Sequence, residues 1–319
     1  MNFIDLYGSV SSIDITLDGP KDIHNKCRIY HDGRGNFDDA YKAFKDIKKR
    51  SNYIGTKVTI SPENLLEINN IINEDLITFI DVNQGDSILL KMNNKSILID
   101  TGGGNKDYSS QIKTYINSLG LNKIDYLILT HGDSDHLGSA YNLLDIIKVD
   151  NVILNKGNYN NYELNIISKC NNKNINYQNN INKINIDNKF ISFLNNKIYD
   201  DENDNSIVVY ININNIKILL MGDASIKTEI DILNKYNLNN IDIFKAGHHG
   251  SNTSSSKIFI DKIKPKYSII SVGKNNRYGH PKDEVLDTLK NSKIYRTDLD
   301  GSIEIKLNKN GYKIRTCPP

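Results

Sequence analysis

His131-Gly132-Asp133-Ser134-Asp135-His136 sets two imidazoles and two carboxylates within six residues. Imidazole nitrogens and carboxylate oxygens are ligands that divalent cations such as zinc and manganese accept. The run follows the apolar stretch Tyr126-Leu127-Ile128-Leu129-Thr130. It precedes apolar residues at Leu137, Ala140, Leu143, Leu144 and Ile147, a spacing that predicts a helix over Leu137–Val149 with one buried face. A strand end, a polar turn and a helix start are therefore expected in that order. The N–H groups of a helix N-terminus favour anions, so carboxylates and an anionic substrate are both tolerated there. Taken alone, the run also reads as a surface loop in which Asp133 or Ser134 caps the helix.

Other potential ligands fall at similar places. Strand Ile241–Lys245 leads into Ala246-Gly247-His248-His249-Gly250-Ser251, strand Ile216–Met221 into Gly222-Asp223, and strand Lys95–Asp100 into three glycines. The loop Asn275–Pro281 holds Asn276 and His280. Five of the seven histidines (His131, His136, His248, His249 and His280) thus lie just after a strand or in a glycine-rich turn. With Asp133, Asp135 and Asp223 they offer enough donors for two divalent cations sharing a bridging carboxylate, and mixed N/O ligation fits Zn, Mn or Fe. Adjacent side chains on one loop seldom reach the same ion, so His249 stands open between a supporting contact and simple packing. His280 is placed to bind the substrate anion or protonate its leaving group. Asp86 and Asp100 fit carboxylates that orient ligands from outside.

These positions need a scaffold. The 319 residues suffice for one large domain, or one domain and a smaller one, and Lys+Arg 40 against Asp+Glu 38 leaves a net charge of +2. Whole-chain charge gives no argument for nucleic acid, although a local basic face would serve. Lys42, Lys45, Lys48, Lys49 and Arg50 read either as such a face or as a solvated helix surface. Cys27, Cys170 and Cys317 form no Cys-x-x-Cys, which points to a reducing compartment and away from disulfides or a thiolate zinc site. Met1–Asp5 lacks the character of a signal peptide, and no apolar run approaches the ~20 residues a membrane span needs. A cytoplasmic location is expected.

Residues 1–74 differ in pattern from the remainder of the chain. They read as a strand at Ser12–Leu17, a polar loop at Tyr30–Asn36, a helix at Phe37–Lys49, a strand at Lys57–Ile60 and a helix at Pro62–Ile72. From Leu76 short strands alternate with helices, which argues for layered α/β architecture. The stretch from Asn155 to Asp204 is polar and reads as irregular, with one helix at Tyr162–Cys170. Strands Ser206–Ile213 and Ile216–Met221 flank Asn214-Asn215, a hairpin signal. An amphipathic helix follows with Ile226, Ile230 and Leu233 as its apolar face. Two similar strand-helix halves predict a pseudo-duplicated sandwich, with function at its strand ends.

The segments Phe79-Ile80-Asp81-Val82-Asn83-Gln84-Gly85-Asp86, Leu98-Ile99-Asp100-Thr101-Gly102, Thr130–Gly138, Leu219–Asp223, His248–Ser251 and Asn276–Pro281 together resemble the metallo-β-lactamase fold. The chain is most similar to the branch formed by the C-terminal domain of the ComEC/Rec2 DNA-uptake protein and its free-standing soluble relatives. The resemblance covers about residues 75–316. It implies an α/β (α+β) fold, a four-layer αββα sandwich over 75–319, with an additional N-terminal α/β segment over 1–74. It also implies Asp135, His136 and His248 on one metal, His131 and Asp133 on the other, and Asp223 between them. Asp133 replaces the superfamily's commoner histidine. A further histidine is missing, because Asp204-Asn205-Ser206 stands in its place, which predicts a weaker, Mn-tolerant second site. Asn83 stands where the branch usually has glycine, and asparagine tolerates the left-handed backbone.

The function expected is a metal-dependent hydrolase with two divalent ions (Zn or Mn), acting as a phosphodiesterase or nuclease on a phosphodiester or nucleotide substrate. Asp135 orients the attacking water, His280 with Ser251 and Asn276 steadies the phosphate, and Lys245 and Lys274 flank the site and attract the anion. Two alternatives stand beside it. One is a small-molecule hydrolase acting on a lactone, thioester or amide. The other is a non-catalytic module that senses nucleotides or holds a protein partner through residues 1–74.

Overall fold

Period-two alternation divides each strand of the larger unit between two apolar environments. Ile77 and Phe79 face one cluster while Ile80 and Val82 face another; Ile218 and Leu220 split in the same way from Leu219 and Met221. Sheets buried on both faces need a layer on each side, which a four-layer stack supplies. The computed structural model describes residues 13–16, 54–57, 75–93, 95–104, 106–187, 189–195, 197–308 and 311–317. The chain divides into two compact units, Met1–Asn73 and Glu74–Pro319. In the first, Ile13–Thr16 pairs in parallel with Ile54–Lys57. The helices expected at 37–49 and 62–72, the loop at 30–36, the basic residues 42–50 and all but the first residue of the strand expected at 57–60 lie outside the described residues.

The second unit holds an eight-stranded and a seven-stranded sheet. The eight-stranded sheet runs, edge to edge, Gly311–Cys317, Ser302–Asn308, Asp75–Phe79, Ile88–Met92, Lys95–Ile99, Lys123–Leu129, Lys148–Leu154, Asn176–Gln178. The other runs Lys293–Arg296, Tyr267–Ile270, Ile243–Lys245, Ile216–Leu220, Val209–Ile213, Lys189–Phe193, Lys183–Ile186. One apolar cluster joins residues of both sheets, including Ile97, Ile128, Ile218 and Ile243. A second packs the eight-stranded sheet against helices Ser109–Ser118, Ala140–Ile146 and Asn161–Lys173, and a third packs the other sheet against Ile226–Lys235, Lys257–Ile263 and Asp283–Thr288. The result is the αββα sandwich. Each sheet is antiparallel on one side and parallel on the other, which is the expected pseudo-duplication.

Three local expectations change. The helix read over Leu137–Val149 stops early, as Ser134–Leu137 and Ala140–Ile146, and Lys148–Leu154 is a strand paired in parallel with Lys123–Leu129. Val152 and Leu154 pack outward and Ile153 inward, so tertiary pairing overrides the local helical spacing. The polar stretch after Asn155 holds strands Asn176–Gln178, Lys183–Ile186 and Lys189–Phe193. Ile184, Ile186, Ile191 and Phe193 enter the inner core while polar neighbours alternate away from it. In helix Ile226–Lys235 the buried residues are Thr228, Glu229 and Ile232, whereas Ile226 and Ile230 are exposed. Glu229 turns inward because its carboxylate accepts the N–H groups of Ser255 and Ser256 at the start of the next helix.

Candidate metal centre

Parallel pairing brings the C-terminal ends of five strands side by side, Ile99 opposite Ile128 in one sheet and Leu220, Lys245 and Ile269 across the other. The turns after them carry Asp100, His131–His136, Asp223, His248–His249 and the loop to His280. Asp100 has a left-handed backbone (φ +56) and accepts from Thr130 N–H at 2.8 Å and Thr130 Oγ1 at 2.6 Å. Its Oδ2 also holds His136 Nδ1 at 2.8 Å. A carboxylate behind an imidazole in this way fixes ring orientation and tautomer.

The opposite nitrogen, His136 Nε2, lies 3.1 Å from Asp223 Oδ1 and 3.2 Å from His249 Nε2. His249 Nδ1 donates to the Ser271 carbonyl at 2.9 Å, which leaves its Nε2 lone pair aimed at the same point. Asp135 Oδ2 is 3.3 Å and Asp223 Oδ2 3.5 Å from that nitrogen. Two imidazole nitrogens and two carboxylates converging in a buried space require positive charge between them. In the chain without metal His136 supplies it: burial opposes the charge, but Asp223 and Asp100 raise its pKa well above the ordinary imidazole value. Burial likewise opposes the charge on Asp135, yet its contact with His249 and the nearby His136 hold its carboxyl well below the usual range.

His131 completes the second part of the centre. Its Nδ1 lies 3.1 Å from Thr130 Oγ1 and 3.3 Å from Ser206 Oγ, while its buried Nε2 has no hydrogen-bond partner and sits 3.6 Å from Asp133 Oδ2. That contact with His131 is the main reason the Asp133 carboxyl is lowered. Ligand atoms of His131, His136 and Asp223 lie within 4.8 Å of one another, as do those of Asp135, His136 and His249. The orphaned His131 Nε2 and this donor chemistry fit divalent cations. The Ser206 hydroxyl, beside His131, also accepts from Asp223 N–H at 3.0 Å.

The two adjacent histidines part company in the turn Gly247–Gly250, where both are left-handed (φ 47 and 53). His249 is buried in the cluster, whereas His248 is partly exposed, with Nδ1 3.0 Å from Thr253 Oγ1 and Nε2 3.7 Å from Asp223 Oδ2. His249 therefore stands in the place expected for His248, because the Ser271 carbonyl draws its ring inward. Ser251 and Asn276 are engaged in their own loops. Ser251 Oγ accepts from Thr253, and Asn276 binds the main chain of Gly273, Tyr278 and His280, which shapes the loop. His280 stacks on Tyr278 with centroids 5.6 Å apart and lies 5.9 Å from the His248 ring. Burial and the neighbouring His248 push its pKa down to about 4, and its Nδ1 is buried without a partner.

Lys245, expected to flank the site and attract an anion, is fully buried and ion-paired to Asp86 instead. Alternation along the strand turns it into the sandwich. Lys274 is exposed, as expected of a flanking cation. Asn83 takes the left-handed backbone (φ 60) that glycine supplies in the branch. The loop 131–136 is further held by groups the sequence did not single out: Gly132 N–H donates to Glu202 at 2.8 Å, and Asn160 Nδ2 donates to Gly132 O at 2.7 Å.

Asp135 opens onto a groove of about 510 Å³ lined by Asn83, Gln84, Gly103, Gly104, Lys106, Tyr108, Tyr162, Lys274 and Asn275–Tyr278. Its walls thus combine cations with tyrosines, and Arg277 lies 4.8 Å over the Tyr278 ring. Among the described residues no helix is long and apolar enough to cross a membrane.

Residues 80–274 match the family model of the metallo-beta-lactamase superfamily. The chain is 29% identical over 271 residues to ComE operon protein 3 of Bacillus subtilis (strain 168), covering 77% of this chain and 35% of that protein. It is 31% identical over 244 residues to competence protein ComA of Neisseria gonorrhoeae, covering 76% and 33%. The chain thus spans about a third of the length of these curated relatives. Among solved structures, the metallo-beta-lactamase fold protein YhfI of Bacillus subtilis aligns with a TM-score of 0.49 at 11% identity, over 70% of this chain and 96% of that one. With the αββα layers, the ligand-bearing strand ends and a family match over most of the second unit, this chain belongs to the metallo-β-lactamase superfamily.

Proposed function

We propose that this chain is a metal-dependent phosphodiesterase whose substrate is a nucleic-acid strand or a nucleotide. The observation that carries the reading is the groove at Asp135, where Lys106, Lys274 and Arg277 alternate with Tyr108, Tyr162 and Tyr278. Of these rings Tyr162 and Tyr278 are exposed and Tyr108 is buried behind them, and cations beside exposed aromatic rings suit a phosphate backbone with stacking bases. The name of the Neisseria gonorrhoeae relative, a competence protein, supports the same substrate class.

Asp135, His136 and His249 would hold one cation, His131 and Asp133 the other, with Asp223 shared. Bound there, two divalent ions activate water and neutralise charge on a phosphoryl group. The chain's own groups do the rest. Asp135, ionised and a quarter exposed on its side chain, accepts a hydrogen bond from water at the groove edge and so orients it. His280 is held neutral and donates an N–H to a phosphoryl oxygen; a group with a pKa of about 4 is poorly suited to protonate a leaving group near neutral pH. Arg277 and Lys274 draw the strand in.

The test is a panel of single- and double-stranded DNA, RNA, cyclic dinucleotides and bis-p-nitrophenyl phosphate with Mn, Zn or Mg, alongside lactone, thioester and amide substrates. Metal-dependent phosphodiester cleavage that Asp223→Ala abolishes with the fold intact is expected. Turnover confined to the lactone, thioester or amide would overturn the assignment.

A further inference from the structure

A lysine stands where the sandwich calls for an apolar side chain. Ile243 faces the inner core and Phe244 the helix layer, so Lys245 turns inward, between Leu220 and Ile269 of the adjacent strands. Burying an ammonium there is strongly unfavourable unless it is paired and hydrogen-bonded. Its Nζ forms an ion pair with Asp86, donates to the Gly222 carbonyl at 3.0 Å and lies 3.9 Å from Asp223 Oδ1.

Those partners belong to different sheets. Asp86 sits in the turn between Asp75–Phe79 and Ile88–Met92, while Gly222-Asp223 follows Ile216–Leu220. Asp86 is also central to the ligands: its N–H donates to Asp135 O at 3.2 Å, and its carboxylate oxygens lie 3.9 Å from His136 Nδ1 and 3.8 Å from His249 Nδ1. Ligand atoms of Asp86, Asp100 and His136 themselves fall within 4.8 Å of one another, and the ammonium supplies positive charge beside them.

We propose that Lys245 is a positioning residue of the metal centre, a resident monovalent cation that ties Asp86 of one sheet to the Gly222-Asp223 turn of the other. It sets the spacing of His136, His249 and Asp223 before a divalent ion enters. This role rests on the two-cation reading of the site. It assigns Lys245 no contact with substrate, which separates it from Lys274 and Arg277.

The experiment measures Mn²⁺ binding by calorimetry and the melting of the metal-free chain for wild type, Lys245→Met, Asp86→Asn and the double variant. Lys245→Met is expected to bind Mn²⁺ roughly 10- to 100-fold more weakly, the usual effect of losing a group that orients ligands. Its metal-free melting temperature should fall by roughly 10 °C, because Asp86 is left as an unpaired buried charge. The double variant should regain most of that melting temperature yet keep the weak Mn²⁺ binding, since nothing then ties the sheets. Wild-type or tighter Mn²⁺ binding by Lys245→Met overturns the proposal, as does a double variant that melts as low as Lys245→Met. If Lys245→Met does not fold, the double variant decides: tenfold or greater loss of Mn²⁺ affinity relative to wild type supports the role, and wild-type affinity overturns it. A wild-type chain that binds no divalent ion sinks the hydrolase reading and this one together, whereas normal wild-type binding with unaffected variants sinks this one alone.

Discussion

His136 Nε2 and His249 Nε2 face each other across 3.2 Å, each ring anchored from behind, one by Asp100 and the other by the Ser271 carbonyl. The two anchors come from different sheets, so the convergence exists only in the folded sandwich. Asp223 and Asp135 close on the same point.

His249→Ala should therefore lower Mn²⁺ or Zn²⁺ affinity by at least roughly 100-fold, and His248→Ala by roughly tenfold or less, taking outer groups as the weaker contributors. Calorimetric titration of both variants checks this. The reverse order would return the ligand role to His248.

A proton and a metal compete for His136. Its pKa is raised in the folded, metal-free chain, so its protonation stabilises that chain fully below the unfolded value near ~6.5 and the contribution fades as pH climbs through the folded value. The metal-free melting temperature should accordingly fall from pH 6 upward. Apparent metal affinity should rise with pH, about tenfold per unit while one proton is displaced. Titrations at several pH values that give one constant affinity would contradict the competition.

Burial, with the charges of Glu202 and Asp133 adding to it, pushes Glu163 up to about 7 against the lowering effect of the Asn160 N–H. The folded chain keeps a proton that the unfolded chain loses above about 4.3, so stability declines as pH rises from there to about 7. Glu163→Gln keeps an acceptor for Asn160 and should flatten that decline, gaining about 1–2 kcal/mol at pH 8 after allowance for solvent screening. Urea unfolding at pH 5 and pH 8 measures it.

A Cβ on Gly85 (φ +132) would lie 2.1 Å from the Asp135 carbonyl oxygen, whereas one on Gly120 (φ +73) meets nothing within 4 Å. Gly85→Ala should displace Asp135 and reduce kcat by roughly 100-fold. Gly120→Ala should cost about 1 kcal/mol of stability and leave turnover intact. Steady-state kinetics beside thermal melts distinguish the two.

Local chemistry made much of this legible. The run His131–His136 is strand end, turn and short helix as its pattern predicts, and Asn214-Asn215 turns the hairpin with both residues at positive φ (52 and 68). The strand Lys148–Leu154 was hidden, because its apolar residues also continue a helical spacing and only pairing with Lys123–Leu129 selects the extended form. The asparagine-rich strands 183–193 were hidden by composition, since four buried side chains carry the whole signal.

By itself the sequence determined which residue types end the strands and a layered α/β architecture, because alternation and turn chemistry are written over a few neighbouring residues; the αββα order came from the family resemblance. The tertiary structure alone decided that His249 enters the cluster and His248 stays at its edge, that Ser206 lies against His131, and that Lys245 points inward to Asp86. Each of those outcomes depends on a partner tens of residues away, and a side chain's direction follows from the partner that satisfies it.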